Sequence, residues 1–297
     1  MSVKVPSVKD LFDAGVHLGH PVRRWNPKFA EYIYKVCGNS HIINLEKTHE
    51  QLKKACEFLE KVGKESGQVI LVGTKKQVTE TLKREAETVG ALYVTERWLG
   101  GTITNYPVLK TGIAKLVDMR KKRDSGEYGV YTKKERLLID REIEKSEASV
   151  GGLVGMRERL GALVVIDPHR ERTAVREAKK CGVPVVALID TDSDPTEIDY
   201  PIPGNDDAIK SIVLVVKSLM GALESGYNSA KKDAEKAEEA EKAEKVVEEA
   251  VEEEKKIEKV AKPEKAEKAE KAKPKKEKKA EKADKVEKKE KKELPKE

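Results

Sequence analysis

Residues 162–190 read "ALVVIDPHRERTAVREAKKCGVPVVALID", in which two apolar runs enclose a charged segment. "ALVVID" and "VPVVALID" have the length of strands and carry apolar side chains at successive positions, so both of their faces would be buried. "RERTAVREAKKCG" between them predicts a helix. Strands that are apolar throughout and separated by amphipathic helices are typical of a parallel sheet covered by helices on both faces. We therefore expect an α/β fold.

The same alternation extends toward both ends of this stretch. Near the start of the chain, Ser7 and Asp10 have the spacing of a capping box, which predicts a short helix that ends at Gly15. Two short strands are expected on either side of Gly38 and Asn39. Further strands are predicted at 68–73 and 91–95, and further helices at 47–63, 75–90 and 205–226.

Residues 105–150 interrupt the alternation. Residues 105–123 predict a helix, and "TKKE" at 132–135 is a capping box that predicts a second helix toward Val150. Two helices joined by a short loop favour an antiparallel hairpin. Their apolar stripe is too narrow to be buried against a large core, so we expect an arm that protrudes from the sheet domain and exposes cations, namely Lys110, Lys115, Arg120, Lys121, Lys122 and Arg123.

Composition divides the 297-residue chain further. Residues 231–297 are a Lys/Glu low-complexity segment without aromatic residues or glycine, which predicts a disordered tail. Either a solubilising or a nucleic-acid-contacting role fits that tail. The predicted domains are thus an α/β domain formed by 1–104 and 151–230, the helical insertion 105–150, and the tail 231–297.

Cysteine content and hydropathy indicate a cellular compartment. The three cysteines are far apart and odd in number, which favours free thiols in a reducing environment. The N-terminus lacks the apolar core of a signal peptide, and no apolar run reaches 18 residues. We therefore expect a cytoplasmic protein that neither crosses a membrane nor binds one.

Ligands of parallel α/β sheets bind at the carboxyl ends of the strands. Those ends are predicted at 73–76, 95–101, 167–172 and 190–195. "GTKK" resembles a phosphate loop but lacks the second glycine and the Ser/Thr, and "DTDSDP" fits an Asp- and Pro-rich turn better than a calcium loop. No catalytic arrangement and no cofactor site is predicted. A cation site is a weaker hypothesis, for which the candidate ligands are His17, His20, Asp190 and Asp206.

A nucleic-acid interface accounts for more of the sequence. "HPVRRWNPKFAEYIY", residues 20–34, interleaves cations with aromatic residues in a Pro-containing loop, and "RWLGGTITN", residues 97–105, places a cation and a tryptophan before two glycines. Arginine can bind phosphate bidentately, and aromatic rings can stack on bases or brace a loop. We expect Trp98 to pack inside the fold and Trp25 to brace its loop. The predicted phosphate contacts are Arg23, Arg24, Lys28, Lys75, Lys76 and Arg97.

Several strings occur in an order that resembles the bacterial ribosomal protein S2 family: "GVHLGH" followed by "RRWNPK", "HIINLEKT", "ILVGTKKQ", "RWLGGTITN", "TKKE", "DTDSDP" and "YPIPGNDDAIKS". The resemblance runs from about Val8 to Gly226. It departs at Asp192, where the family usually has Asn, and before "ALVVID", where the family usually has Leu-Pro.

The resemblance implies a flavodoxin-like three-layer domain with an inserted coiled-coil hairpin. It also implies a non-enzymatic role in the small ribosomal subunit, with 16S ribosomal RNA and neighbouring proteins such as ribosomal protein S1 as partners. Two alternatives remain open. One is an α/β enzyme that binds a nucleotide or metal at the strand ends, and the other is a protein scaffold that uses the helical arm.

Overall fold

The computed structural model describes residues 5–232, so the predicted tail lies outside the described residues except for its first two. The strands are β1 (Leu18–Pro21), β2 (Ile33–Cys37), β3 (Ser40–Ile43), β4 (Val69–Val72), β5 (Leu92–Val94), β6 (Ala162–Ile166), β7 (Val185–Ile189) and β8 (Tyr200–Pro203). The helices are α1 (Val8–Asp13), α2 (Leu45–Lys64), α3 (Lys76–Val89), α4 (Tyr106–Asp124), α5 (Lys133–Val150), α6 (Arg172–Lys180) and α7 (residues 209–232).

The central element is a five-stranded parallel sheet in the order β5-β4-β6-β7-β8. Its register places Val164 of β6 beside Leu71 of β4 and Val186 of β7. All residues of β4, β6 and β7 are buried, because helices cover both faces of these strands. The predicted α/β architecture is confirmed and fits a flavodoxin-like fold.

Two apolar cores lie on opposite faces of this sheet. One contains side chains of α2, α3 and α7, including Leu52, Leu82 and Leu219. The other contains side chains of α4, α5 and α6 together with Phe29 from the N-terminal region. Alternate residues of each strand point to alternate cores, as the pleat requires.

Two strands were not predicted from the sequence. β8 pairs in parallel with β7 only, so it lies at the edge of the sheet, where prolines such as Pro201 and Pro203 are tolerated. β1 pairs with β3 in a separate antiparallel sheet in the order β1-β3-β2. The segment 20–34 is therefore not a simple loop: it leaves β1 and forms two 3₁₀ turns, Val22–Arg24 and Pro27–Tyr32.

The helices α4 and α5 form where they were predicted, and the capping box between Thr132 and Glu135 is present. Leu116 and Ile143 are fully buried in the core that α6 also shares, so the prediction that this stripe could not be buried against a large core is wrong. The exposed apolar side chains, such as Leu137 and Leu138, lie near the connection between the helices.

The antiparallel coiled coil is not confirmed. Lys115 pairs with Glu142 at 2.7 Å, and Arg120 pairs with Glu147 at 2.5 Å. In an antiparallel coiled coil the number of the partner falls as the number of the first residue rises. From the first ion pair to the second, the residue number rises by five on α4 and also by five on α5, so these pairs do not show the register of an antiparallel coiled coil.

Candidate nucleic-acid interface

The four loops that follow β4, β5, β6 and β7 lie together at the carboxyl ends of these parallel strands. We call the residues 73–76, 95–101, 167–172 and 190–195 the strand-end edge. Hydrogen bonds join the loops after β4 and β6 to each other, and the loop after β7 to the N-terminal region. Thr74 donates to Glu171, and the backbone N–H of Asn26 donates to the carbonyl of Thr191 at 2.7 Å. Residues far apart in sequence therefore form one ordered surface.

The carboxylate of Glu177, on α6, organises the loop after β5. It accepts hydrogen bonds from Trp98 Nε1 at 3.2 Å and from the backbone N–H groups of Gly101, Ile103 and Thr104 at 2.7, 3.1 and 3.3 Å. Burial alone would raise the pKa of Glu177, but these donated hydrogen bonds outweigh it and hold the pKa below its ordinary value.

This contact explains the composition of "RWLGGTITN". Trp98 is only 5 % exposed, so the prediction that it packs inside the fold is confirmed. Gly101 has a φ of +93°, a conformation that glycine adopts without strain. The loop wraps a buried carboxylate, and Arg97 lies exposed at its start. The role of Glu177 could not be predicted, because its partners lie more than 70 residues away along the chain.

The N-terminal part of the interface presents two arginines. Arg23 and Arg24 are exposed on the first 3₁₀ turn. Trp25 is 36 % exposed, and its ring centroid lies 5.2 Å from that of His41, which fits a bracing role. Phe29 is fully buried and therefore belongs to the core.

Lys28 is the cation of this segment that already has a carboxylate partner. Its Nζ lies 2.6 Å from Asp194 Oδ2 and 3.3 Å from the hydroxyl of Thr196. Slight burial would raise the pKa of Asp194, but hydrogen bonds from Lys28 and Thr196 lower it to about 2. The pair ties the segment 20–34 to the loop after β7. Because it lies at the surface, phosphate can compete with Asp194 for Lys28.

Lys75 lies inside the strand-end edge rather than on it. Its Nζ is 2.8 Å from Asp206, 2.9 Å from Asp207 and 3.0 Å from Asp167. Burial opposes the charge, but the hydrogen bond to Asp206 and the other carboxylates raise the pKa of Lys75 above its ordinary value. The adjacent Lys76 is exposed. Of the two predicted phosphate contacts in "GTKK", only Lys76 forms no ion pair with a carboxylate among residues 5–232.

Three of the four candidate cation ligands come together beside Lys75. His20, Asp190 and Asp206 each offer a ligand atom, and these atoms lie within 4.8 Å of one another. Asp206 Oδ2 is buried without a hydrogen-bond partner among residues 5–232. Imidazole and carboxylate ligands suit a divalent transition metal ion. His17 is not among these three, and its ring stacks on Phe12 at 4.5 Å.

The charges of this cluster make the stability of the protein pH-dependent. The hydrogen bond from His20 Nδ1 to Asp190, 2.8 Å long, raises the pKa of His20 to about 9 against the opposing effect of burial. A raised pKa contributes stability that is complete below the ordinary value of 6.5 and is lost as the pH rises through 9. Burial likewise raises the pKa of Asp206 from 3.8 to about 7, so its contribution is complete below pH 3.8 and is lost as the pH rises through 7.

We therefore expect the free energy of unfolding to fall between pH 7 and pH 9. The expected fall is about 1 to 2 kcal/mol, after allowing for solvent at a partly buried ring. Urea unfolding at a series of pH values measures it. In His20→Gln the fall should be much smaller, and an equal fall in the variant would show that His20 is not its cause.

None of the helices found between residues 5 and 232 has the length and apolar composition that crossing a membrane would require.

The fold and the strand-end edge define an α/β protein whose buried carboxylates order loops that carry exposed arginines. Residues 11–226 match the family model described as Ribosomal protein S2. The chain belongs to this family, whose members are structural, non-enzymatic proteins of the small ribosomal subunit. The match covers the α/β domain and both inserted helices, and it ends before the Lys/Glu tail.

Proposed function

We propose that the protein is a structural constituent of the small ribosomal subunit that binds 16S ribosomal RNA through the strand-end edge and the segment 20–34. It acts in the cytoplasm during translation, needs no cofactor and acts on no small-molecule substrate. The observation that carries the proposal is the placement of Arg23, Arg24 and Arg97, which are exposed on segments held in place by buried hydrogen bonds. Guanidinium groups carried by segments whose backbone is already ordered can bind phosphates bidentately without a further cost for ordering that backbone.

The other residues proposed to contact RNA differ in how freely their side chains can bind a phosphate. Lys76 is exposed, Lys28 exchanges Asp194 for phosphate, and Trp25 braces the turn that carries Arg23 and Arg24. Lys75 can reach a phosphate only by releasing a carboxylate. Neighbouring ribosomal proteins, S1 among them, are further proposed partners. Exposed apolar side chains near the connection of α4 and α5, such as Val130 at 95 % exposure, offer one surface for such contacts.

The alternative of a nucleotide-binding enzyme loses its main support from this geometry. A phosphate loop needs a lysine that is free to bind phosphate. In "GTKK" the ammonium group of Lys75 is already bound by Asp167, Asp206 and Asp207.

The proposal predicts that the triple variant Arg23→Gln/Arg24→Gln/Arg97→Gln binds the subunit with a weaker salt dependence. Each lost phosphate contact removes about 0.7 to 0.9 from the slope of log K against log salt, so the magnitude should fall by about 2. The measurement is co-sedimentation of the full-length chain with small subunits depleted of this protein, over a salt series.

The matched control is Lys53→Gln/Lys61→Gln/Lys83→Gln, which removes three exposed cations from α2 and α3, on the opposite face of the sheet. Its slope should match that of the unmodified chain. An unchanged slope in the arginine variant would show that these arginines do not contact RNA. Salt-independent binding of the unmodified chain would contradict RNA binding altogether.

A further inference from the structure

The helix α6 separates its charges by sign. The carboxylates of Glu171, the residue just before the helix, and of Glu177 within it are buried, at 5 % and 9 % exposure. Glu171 accepts a hydrogen bond from Thr74, and Glu177 holds the loop after β5. The basic residues of the helix are all exposed, and they form what we call the α6 stripe: Arg172, Arg176, Lys179 and Lys180.

The spacing of the α6 stripe places its cations on one face of the helix. Positions i, i+4, i+7 and i+8 lie above one another in successive turns. Within residues 5–232 no member of the stripe takes part in an ion pair. The protein therefore presents a purely cationic helical surface.

The clustered positive charges destabilise α6 when no anion is bound to it. Like charges four residues apart, as in Arg172–Arg176 and Arg176–Lys180, repel each other. A cation at the first helical position, here Arg172, also opposes the helix dipole, although Lys179 and Lys180 suit the last turn. A bound polyanion would remove both costs.

The α6 stripe also lies between the two segments proposed to bind RNA. A cavity of about 540 Å³ is lined by Arg97 from the loop after β5, by Arg170 just before α6 and by Thr173 in its first turn. A second cavity, of about 230 Å³, is lined by Asn26 from the N-terminal segment and by Arg172 and Arg176. The helix thus lies between the two segments, and its arginines line both cavities or adjoin them, although Glu96 and Glu197 also line these cavities.

We propose that the α6 stripe forms the middle of the RNA-binding surface and lies along the phosphates of one ribosomal RNA segment. The inference rests on the proposed function and adds a contact element to it. RNA fits the stripe better than an acidic protein does, because protein interfaces bury apolar side chains at their centre. The exposed positions of α6 are Arg172, Thr173, Arg176, Lys179 and Lys180, and none is apolar.

The first test is the full-length variant Arg172→Gln/Arg176→Gln/Lys179→Gln, measured by co-sedimentation with depleted small subunits over a salt series. Glutamine favours helix about as well as lysine and arginine do, so α6 should remain folded. The magnitude of the salt slope should fall by about 2, while the Lys53→Gln/Lys61→Gln/Lys83→Gln control keeps the slope of the unmodified chain.

An unchanged slope in the α6 variant would overturn the inference, while a steep slope in the unmodified chain would leave the proposed function standing. A flat slope in the unmodified chain would instead overturn the proposed function itself. The two failures are therefore distinguishable in one experiment.

The second test separates RNA from protein as the partner of the stripe. Cys181 follows α6 directly and is exposed, Cys37 is the other exposed thiol, and Cys56 is buried. An iron–EDTA probe attached to Cys181 in the Cys37→Ser chain should cleave nearby 16S ribosomal RNA when hydroxyl radicals are generated. Normal subunit binding without RNA cleavage would place protein or solvent against α6 and overturn the inference.

Discussion

Glu177→Ala should lower the free energy of unfolding by roughly 3 to 5 kcal/mol, one of the largest single-residue effects that this structure predicts. The substitution leaves Trp98 Nε1 and the N–H groups of Gly101 and Ile103 without their acceptor. Each buried donor that loses its partner costs about 1 to 3 kcal/mol, and part of that cost is recovered where water enters. Chemical denaturation of the variant measures the loss.

Two further variants make this prediction specific. Glu177→Gln keeps one carbonyl acceptor, so its loss should be smaller than that of Glu177→Ala. Glu80→Ala removes an exposed carboxylate from α3 and should change stability by less than about 0.5 kcal/mol. If Glu177→Ala were as mild as Glu80→Ala, the carboxylate would not organise the loop after β5.

Lys75→Met should have an effect of similar size, about 3 to 5 kcal/mol near neutral pH. The substitution removes the one ammonium group that contacts Asp167, Asp206 and Asp207, so it leaves carboxylates uncompensated in a largely buried place. The sign of its pH dependence follows from Asp206, whose pKa is raised to about 7 even with Lys75 present. Protonation of Asp206 relieves the repulsion, so the variant should recover stability as the pH falls.

The neighbouring residue supplies the control for Lys75→Met. Lys76 has the same side chain but is exposed, so Lys76→Met should change stability by less than about 0.5 kcal/mol. Urea unfolding of both variants from pH 5 to pH 8 makes the comparison. Equal and small effects would contradict the structural role of Lys75 and restore it as a freely available phosphate contact.

The sequence was most informative where local pattern and tertiary structure agree. Apolar runs such as 162–166 and 185–189 predicted buried parallel strands, because short apolar runs that alternate with amphipathic helices are typical of a sheet covered on both faces. Capping boxes at Ser7 and Thr132 predicted two helix starts, since the residues that form a cap are neighbours in the chain.

The sequence was least informative where contacts join distant residues. The prolines of β8 obscured a strand that its position at the sheet edge permits. The spacing of apolar residues in α4 and α5 identified the apolar face of each helix, but it did not give the register between the two helices. The roles of Glu177 and Lys75 depend on partners from other elements, so Lys75 looked like a free cation and Glu177 like a polar helix residue.

We propose that the strand-end edge and the segment 20–34 contact 16S ribosomal RNA. Ultraviolet cross-linking of small subunits that carry the full-length chain, followed by mass spectrometry of peptide–nucleotide adducts, tests it most directly. Adducts should occur in peptides that contain Trp25 and in peptides that contain residues 95–101, and not in peptides from α2 or α3. Adducts confined to α2, α3 or the Lys/Glu tail, or no adducts from assembled subunits, would contradict it.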